Sequence, residues 1–187
     1  VLVAEGGHFL YEEVTTVVID VGGPGTVETE YSSGWNLVGL PVETEDSSNG
    51  SLFPTAFAGS LYSFDGGYSE VEQLDNGTGY WLRFPDSSTV EFTGGMFDEI
   101  SVSVVEGWNL VPAATLSGAA QWDPDTYFTG IDWVKAKGYN ASTEAWIDIV
   151  PDIDLSTIYD YSADATDNIY SGKGYWLYSN ESGTIVP

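Results

Sequence analysis

Short runs of alternating apolar and polar residues dominate the chain. Ile100, Val102 and Val104 alternate with Ser101 and Ser103, and Val17, Ile19 and Val21 alternate with Val18 and Asp20. Period-two alternation built on β-branched residues marks half-buried strands. Glycine and proline, 22 and 8 of the 187 residues, interrupt these runs every few positions, as short strands joined by tight turns require. Asp65-Gly66-Gly67 and Asn76-Gly77 read as hairpin-type turns, since glycine supplies a positive φ without steric cost. Helical periodicity is weak. It predicts one short helix within Ala113 to Trp122 and a turn or two within Ser51 to Ser60.

An internal duplication organises the runs. Gly34-Trp35-Asn36-Leu37-Val38 recurs as Gly107-Trp108-Asn109-Leu110-Val111, and Gly79-Tyr80-Trp81-Leu82 recurs as Gly174-Tyr175-Trp176-Leu177. Between these anchors Tyr62 to Ser69 aligns with Trp133 to Asn140, and Gly22-Gly23 and Gly94-Gly95 stand before the two Gly-Trp-Asn segments. Trp35 precedes Tyr80 by 45 residues and Trp108 precedes Tyr175 by 67, so the second copy is 22 residues longer. The extra length is expected in an acidic insertion near 147–168, which carries Asp148, Asp152, Asp154, Asp160, Asp164 and Asp167. The predicted division is an extended arm and first strand over 1–21, a β-repeat domain over 22–94 and a second over 95–187.

The fold class that follows is all-β: two tandem small β-sandwich or barrel-like repeat domains with an N-terminal strand arm. Domains this small, without a disulfide, need large aromatics in their cores. Trp35, Trp108, Trp81 and Trp176 are therefore expected to be core residues, with ligand contact as the alternative. Trp81 should lie on the face opposite Tyr80 and Leu82.

Charge narrows the range of partners. Acidic residues outnumber basic ones 29 to 4, for a formal net charge of −25. Nucleic acids and anionic membrane surfaces both need a lysine/arginine footprint that is missing here. No apolar run reaches the roughly 18 residues of a membrane span. The absence of cysteine removes disulfides and thiolate chemistry, and the single histidine, His8, removes His-rich metal sites and most Ser–His triads. No charged segment followed by an apolar one opens the chain, so a secretory leader, if made, is expected to have been removed.

Few groups point to chemistry. Paired carboxylates can hydrolyse glycosides, but with 29 acids some pairs meet by composition alone, and no catalytic residue can be named. The expectation is a protein that is not an enzyme and has no cofactor. Calcium is the alternative left open, at the insertion or at Asp123-Pro124-Asp125, although the Asp-x-Asp-x-Asp-Gly…Glu spacing is missing. Tyr68, Tyr139, Trp122, Trp133 and Trp146 lie outside the two main motifs and either cover small cores or form a platform on which sugar rings stack. Asn49, Asn76, Asn140 and Asn180 each begin an Asn-x-Ser/Thr sequon. Composition alone gives about 1.3 such sequons, so the four are candidate glycosylation sites.

The series Gly-Trp-Asn-Leu, Tyr-x-Phe-Asp-Gly-Gly-Tyr and Gly-Tyr-Trp-Leu, spread over residues 22–187, resembles tandem β-repeats of secreted and cell-surface proteins of bacteria and archaea. The second copy departs from the pattern where Pro112-Ala113 replaces Gly39-Leu40-Pro41. The resemblance implies an all-β module that is extracellular or on the cell surface, and it specifies no activity. The two ends add a further expectation. Val1 to Tyr11, apolar at Val1, Val3, Phe9 and Tyr11, has no counterpart in the duplication, and the last β unit stops at Thr184, Ile185 and Val186. Together they predict strand donation, in which the arm of one subunit completes the sheet of the next at the Thr184 to Val186 edge. A head-to-tail contact of that kind builds a filament or surface layer. The alternative is a secreted carbohydrate-binding or adhesion module. Expected partners are further copies of the chain and, under the alternative, glycans.

Overall fold

The computed structural model describes residues 24–151 and 168–187. The described residues form an all-β fold with two single-turn helices. The first repeat contains β1 (Pro24–Tyr31), β2 (Gly34–Val38), α1 (Asn49–Leu52), β3 (Tyr62–Phe64), β4 (Tyr68–Glu70), β5 (Tyr80–Phe84) and β6 (Ser88–Gly95). The second contains β7 (Val102–Val104), β8 (Gly107–Pro112), β9 (Gln121–Trp122), α2 (Pro124–Tyr127), β10 (Trp133–Asn140), β11 (Ala145–Ile149), β12 (Ile169–Tyr170), β13 (Gly174–Ser179) and β14 (Gly183–Ile185). The single turn α1 overlaps the start of the Ser51–Ser60 segment, where a turn or two was expected, whereas α2 lies beyond the Ala113–Trp122 segment, whose end is the strand β9.

The duplication is also one of topology. Repeat one has a four-stranded antiparallel sheet in the order β2-β5-β3-β4 and a separate pair, β1-β6. Repeat two has the same sheet, β8-β13-β10-β11, and the same pair, β7-β14, with β9-β12 added. Each repeat closes its own core. Val38, Tyr80, Leu82 and Phe84 meet Val27, Tyr31, Val90 and Phe92 in the first. Val111, Tyr175, Leu177 and Ala136 meet Val102, Val104 and Ile185 in the second. The alternation read at Ile100, Val102 and Val104 is real: all three are buried, between exposed serines.

Strand register corrects the alignment between the outer motifs. Tyr62 pairs with Trp81, and the residue opposite the equivalent Trp176 is Lys137. Phe64 pairs with Tyr68 across its hairpin as Tyr139 pairs with Trp146. Phe64 therefore corresponds to Tyr139, and Tyr68 to Trp146. The similarity of Gly67-Tyr68 to Gly138-Tyr139 misleads, because the first follows its hairpin turn and the second precedes one. Ile147 to Ile149 belong to β11 rather than to an insertion. The remainder of that stretch, 152–167, lies outside the described residues.

The motif residues do the same work in both copies. Gly34 and Gly107 sit at φ +94° and +98°, a region that other residues enter at a cost. They let the chain turn back between β1 and β2 and between β7 and β8. The asparagine two residues on closes each turn. The Asn36 amide oxygen accepts from the Ser32 N–H at 3.2 Å, while its NH2 donates to the carbonyls of Ser32 and Gly34 at 2.8 and 3.1 Å. Asn109 repeats this on Val105 and Gly107 at 2.9, 2.8 and 3.0 Å. The Tyr80 hydroxyl accepts the Asp75 N–H at 2.8 Å, and the Tyr175 hydroxyl accepts the Tyr170 N–H at 2.8 Å. A buried ring thus satisfies a loop amide.

The glycine of Gly-Tyr-Trp-Leu is where the two repeats touch. A Cβ on Gly79 would lie 2.7 Å from the Val111 carbonyl oxygen, and one on Gly174 2.8 Å from that of Val38. The Gly79 N–H donates to the Leu110 carbonyl at 3.0 Å, and the Gly39 N–H donates to that of Gly172 at 3.0 Å. Leu37 and Leu110 are buried but belong to neither core; they fill the seam between repeats. Polar groups lock the seam from one side. The Thr29 hydroxyl donates to the Ser171 carbonyl at 2.9 Å and the Tyr31 hydroxyl to the Gly172 carbonyl at 2.6 Å. Lys173 lays its ammonium over the Tyr31 ring, 4.3 Å from the centroid, and donates to the Glu30 carbonyl.

Two expectations follow. Gly79→Ala and Gly174→Ala should each lower stability by about 1–3 kcal/mol through overpacking of the seam. Gly67→Ala, which meets open space, should stay within about 0.5 kcal/mol; urea denaturation of the three variants tests both. The second concerns pH. Desolvation pushes the Lys173 ammonium down to about 8, with the Glu30 carboxylate opposing the shift. Burial pushes the Tyr31 hydroxyl up. Between about pH 8 and 10 the folded chain sheds the Lys173 proton while the unfolded chain keeps it, so stability should rise with pH over that window. Above about pH 10 the unfolded chain ionises Tyr31 and the folded chain resists, so stability should fall. Urea titrations at stepped pH should lose the first limb in Lys173→Met.

Candidate functional site: an aromatic cleft shared by the two repeats

The tryptophans of the repeated motifs are not core residues. Each four-stranded sheet points one face inward. The seats there are taken by Val38, Tyr80, Leu82 and Phe84 in the first repeat and by Val111, Tyr175 and Leu177 in the second. Period-two alternation places Trp35, Leu37 and Trp81 on the opposite face, with Trp108, Leu110 and Trp176 as their counterparts. Leu37 and Leu110 go into the seam. Trp35 and Trp108, two residues away, emerge beyond it and are each 38% exposed. Trp81 and Trp176 are half-buried beside them. The expected separation of Trp81 from Tyr80 and Leu82 is present, with Trp81 on the outer side.

These rings form one continuous surface across the seam. The Trp35 and Trp81 centroids are 6.4 Å apart at 90°, and Trp108 and Trp176 are 6.4 Å apart at 83°. Each hairpin tip reaches over to the other repeat: Tyr139 lies 5.1 Å from Trp81, and Phe64 lies 4.7 Å from Trp176, both at 74°. The hairpin partners complete the pattern, Trp146 at 5.1 Å from Tyr139 and Tyr68 at 5.3 Å from Phe64. The two clusters are thus built alike, each from one repeat's tryptophan pair and the other repeat's hairpin. Edge-to-face packing of this kind matches the ring quadrupoles and holds the rings at fixed angles.

A cleft of about 520 Å³ opens in this surface, lined by Trp35, Tyr62, Tyr68, Trp81, Tyr139 and Trp146. Its volume falls in the range of small-molecule sites. Trp146 and Tyr68, at 47% and 57% exposure, form its accessible rim. The lining carries no carboxylate, imidazole or amine. It offers apolar ring faces and edges with phenol hydroxyls between them, which suits binding of a partly apolar ring-shaped group.

Of the aromatics singled out by position in the sequence, Tyr68, Tyr139 and Trp146 belong to this cleft. Trp133 and Trp122 do not. A register shift in β10 between Trp133 and Lys135 turns Trp133 into the second core, 5.0 Å from Phe128. Trp122 packs on Tyr127 and donates its indole N–H to the Ala114 carbonyl at 2.9 Å. Trp35 and Trp81, expected first as core residues, and Tyr62, not singled out, belong to the cleft as well. The overlooked signal is the glycine before Tyr80, whose tight fit against the other repeat puts the seam, and the ring beside it, on the outer face.

The remaining candidates are scattered. Val1, Val3, Phe9 and Tyr11 lie outside the described residues. Thr184 and Ile185 are in β14, opposite Ser103 and Val102, with Ile185 fully buried. Val186 is exposed and its N–H donates to the Thr129 carbonyl at 2.9 Å. Gly130 packs against the Thr184 carbonyl, so the chain's own loop lies along this edge. Asn76 is in an exposed turn, and Asn180 donates to the Asp132 carboxylate at 2.9 Å. The Asn140 amide oxygen accepts from the Ser142 N–H and hydroxyl at 3.0 and 2.7 Å. Asn49 opens α1 with its amide oxygen buried. Asp123 caps α2, accepting the Thr126 N–H at 2.9 Å. Among the described residues no group of three or more His, Asp or Glu is placed to hold a metal ion, and no helix is long and apolar enough to cross a membrane.

No protein-family model matches the chain, and comparison with curated proteins and with solved structures returned no match.

Proposed function

We propose that the chain is a non-enzymatic, extracellular carbohydrate-binding module whose ligand enters the cleft between Trp35, Trp81 and Trp146. The observation that supports this is the composition of the cleft: six lining residues, all aromatic, held at fixed angles by the seam. Pyranose rings present faces of C–H groups that stack on the negative faces of indole and phenol rings, while their hydroxyls remain free for phenol groups and water. Trp35 and Trp146 both stand steeply to Trp81, at 90° and 81°. Such a cleft suits a chain end or a few sugar units more than the flat face of a crystalline polymer.

Trp146 is half exposed and outside both cores. Trp146→Ala should therefore weaken oligosaccharide binding at least tenfold while shifting the melting temperature by no more than about 2 °C. Titration of a panel of neutral and acidic oligosaccharides, followed by intrinsic tryptophan fluorescence and calorimetry, measures this. Unchanged affinity in both Trp146→Ala and Trp81→Ala, or no binding by the native chain, would remove the proposal.

A second reading, assembly into a filament by strand donation, is supported by a different feature. Among the described residues β7 has β14 as its one strand partner, and Val105 beside it is exposed. An open strand edge is a template for another chain. Deleting residues 1–11 should leave a folded monomer that makes no fibres in negative-stain microscopy; fibres of unchanged form would count against strand donation from the arm.

A further inference from the structure

All four basic residues of this strongly acidic chain lie against or beside aromatic rings. Lys173 is in the seam, and the other three are on the outer faces of the two four-stranded sheets. Arg83 is the cross-strand partner of Trp35, and its guanidinium lies 5.2 Å from the Phe57 centroid. The Lys135 ammonium lies 5.5 Å from the centroid of Trp108. Lys137 stands opposite Trp176 and pairs with Asp148.

The distribution of ion pairs is unexpected. The chain has 29 carboxylates, yet among the described residues Lys137–Asp148 is the one salt bridge. Arg83 and Lys135 rest on rings with no carboxylate partner among those residues. They also occupy comparable places. The position equivalent to Arg83 in the second repeat is Tyr178, and Lys135 is the cross-strand neighbour of Tyr178. Each Gly-Trp-Asn tryptophan thus has a cation beside it, delivered from β5 in one repeat and β10 in the other.

We propose that the saccharide is acidic. This rests on the carbohydrate reading above and adds the chemical class of the ligand: a sugar ring stacks on Trp35 at the cleft, or on its counterpart Trp108 outside it, and its carboxylate or sulfate group is taken by the flanking Arg83 or Lys135. A charge-assisted hydrogen bond of this kind is about twice as strong as a neutral one. The overall charge of −25 does not forbid it. At 0.15 M salt the screening length is about 8 Å, so the cation beside the ring outweighs distant carboxylates.

The test uses ligands that differ only in charge, at 0.15 M NaCl, by calorimetry on the full chain. Hexagalacturonate is compared with its methyl-esterified form, and sulfated cellohexaose with cellohexaose; the first pair reads a carboxylate, the second a sulfate. The expected result is at least tenfold tighter binding of one acidic ligand than of its neutral partner. Arg83→Met with Lys135→Met, which keeps apolar stems against the rings, should abolish that preference and leave affinity for the neutral form unchanged. Equal affinity within both pairs, or a preference that survives the double substitution, overturns the acidic-ligand proposal while leaving the carbohydrate reading in place. Binding of none of the four overturns both.

Discussion

The fold depends on how closely two backbones approach at Gly79 and Gly174. At each point a strand of one repeat runs so near the other that there is no space for even a methyl group. That approach hides Leu37 and Leu110, orients the Ser171-Gly172-Lys173 turn toward β1, and brings each hairpin tip over the neighbouring tryptophan pair. If the seam opened by the width of a side chain, the two cores would survive, since each is closed within its own repeat. The cleft would not, because its walls come from both. The seam therefore adds to the stability that the two cores supply, whereas the cleft exists only while the seam holds.

Within each repeat, polar side chains take over where strand pairing ends. Asn36 and Asn109 satisfy the backbone of their turns, and Tyr80 and Tyr175 reach out of the cores to hold loop amides. These are internal solutions to the general problem of leaving no buried backbone group unpaired. They leave the tryptophans as the motif residues without a structural task of that kind. The few cations also sit on rings rather than among the many acids, so the outer faces differ in chemistry from the rest of the surface.

Much of the fold could be read from the residues. The duplication, the β class, the separation of Trp81 from Tyr80 and Leu82 and the alternation at Val102 and Val104 follow from local patterns, which depend on neighbours two or three positions away; which face of that strand turns inward does not. What could not be read depends on contacts between the copies. Burial of Trp35 is the natural expectation for a small domain standing alone. The expectation fails because the inward face is already filled, and because the outer face is shared with a second repeat that no local pattern reveals. The slip in aligning Tyr62 with Trp133 has a similar origin. Hairpin turns of different length shift the matching residues, and the register shift in β10 then sends Trp133 inward and leaves Lys135 and Lys137 on the outer face. The cleft joins Trp35 to Trp146, far apart in the chain, and only the seam makes them neighbours.

The crossed hairpins also bear on how such a molecule changes over time. Two identical copies meeting in this way would have had two identical clefts, each half borrowed. In the present chain the two hairpins are not equivalent: Tyr62 and Tyr68 of the first line the same cleft as their own repeat's Trp35 and Trp81, while Tyr139 and Trp146 reach that cleft from across the seam. The two clusters differ in kind: Tyr62 faces Trp81 where Lys137 faces Trp176, and Phe64 answers Tyr139. Two aromatic clusters that cannot be physically separated thus differ in their chemistry.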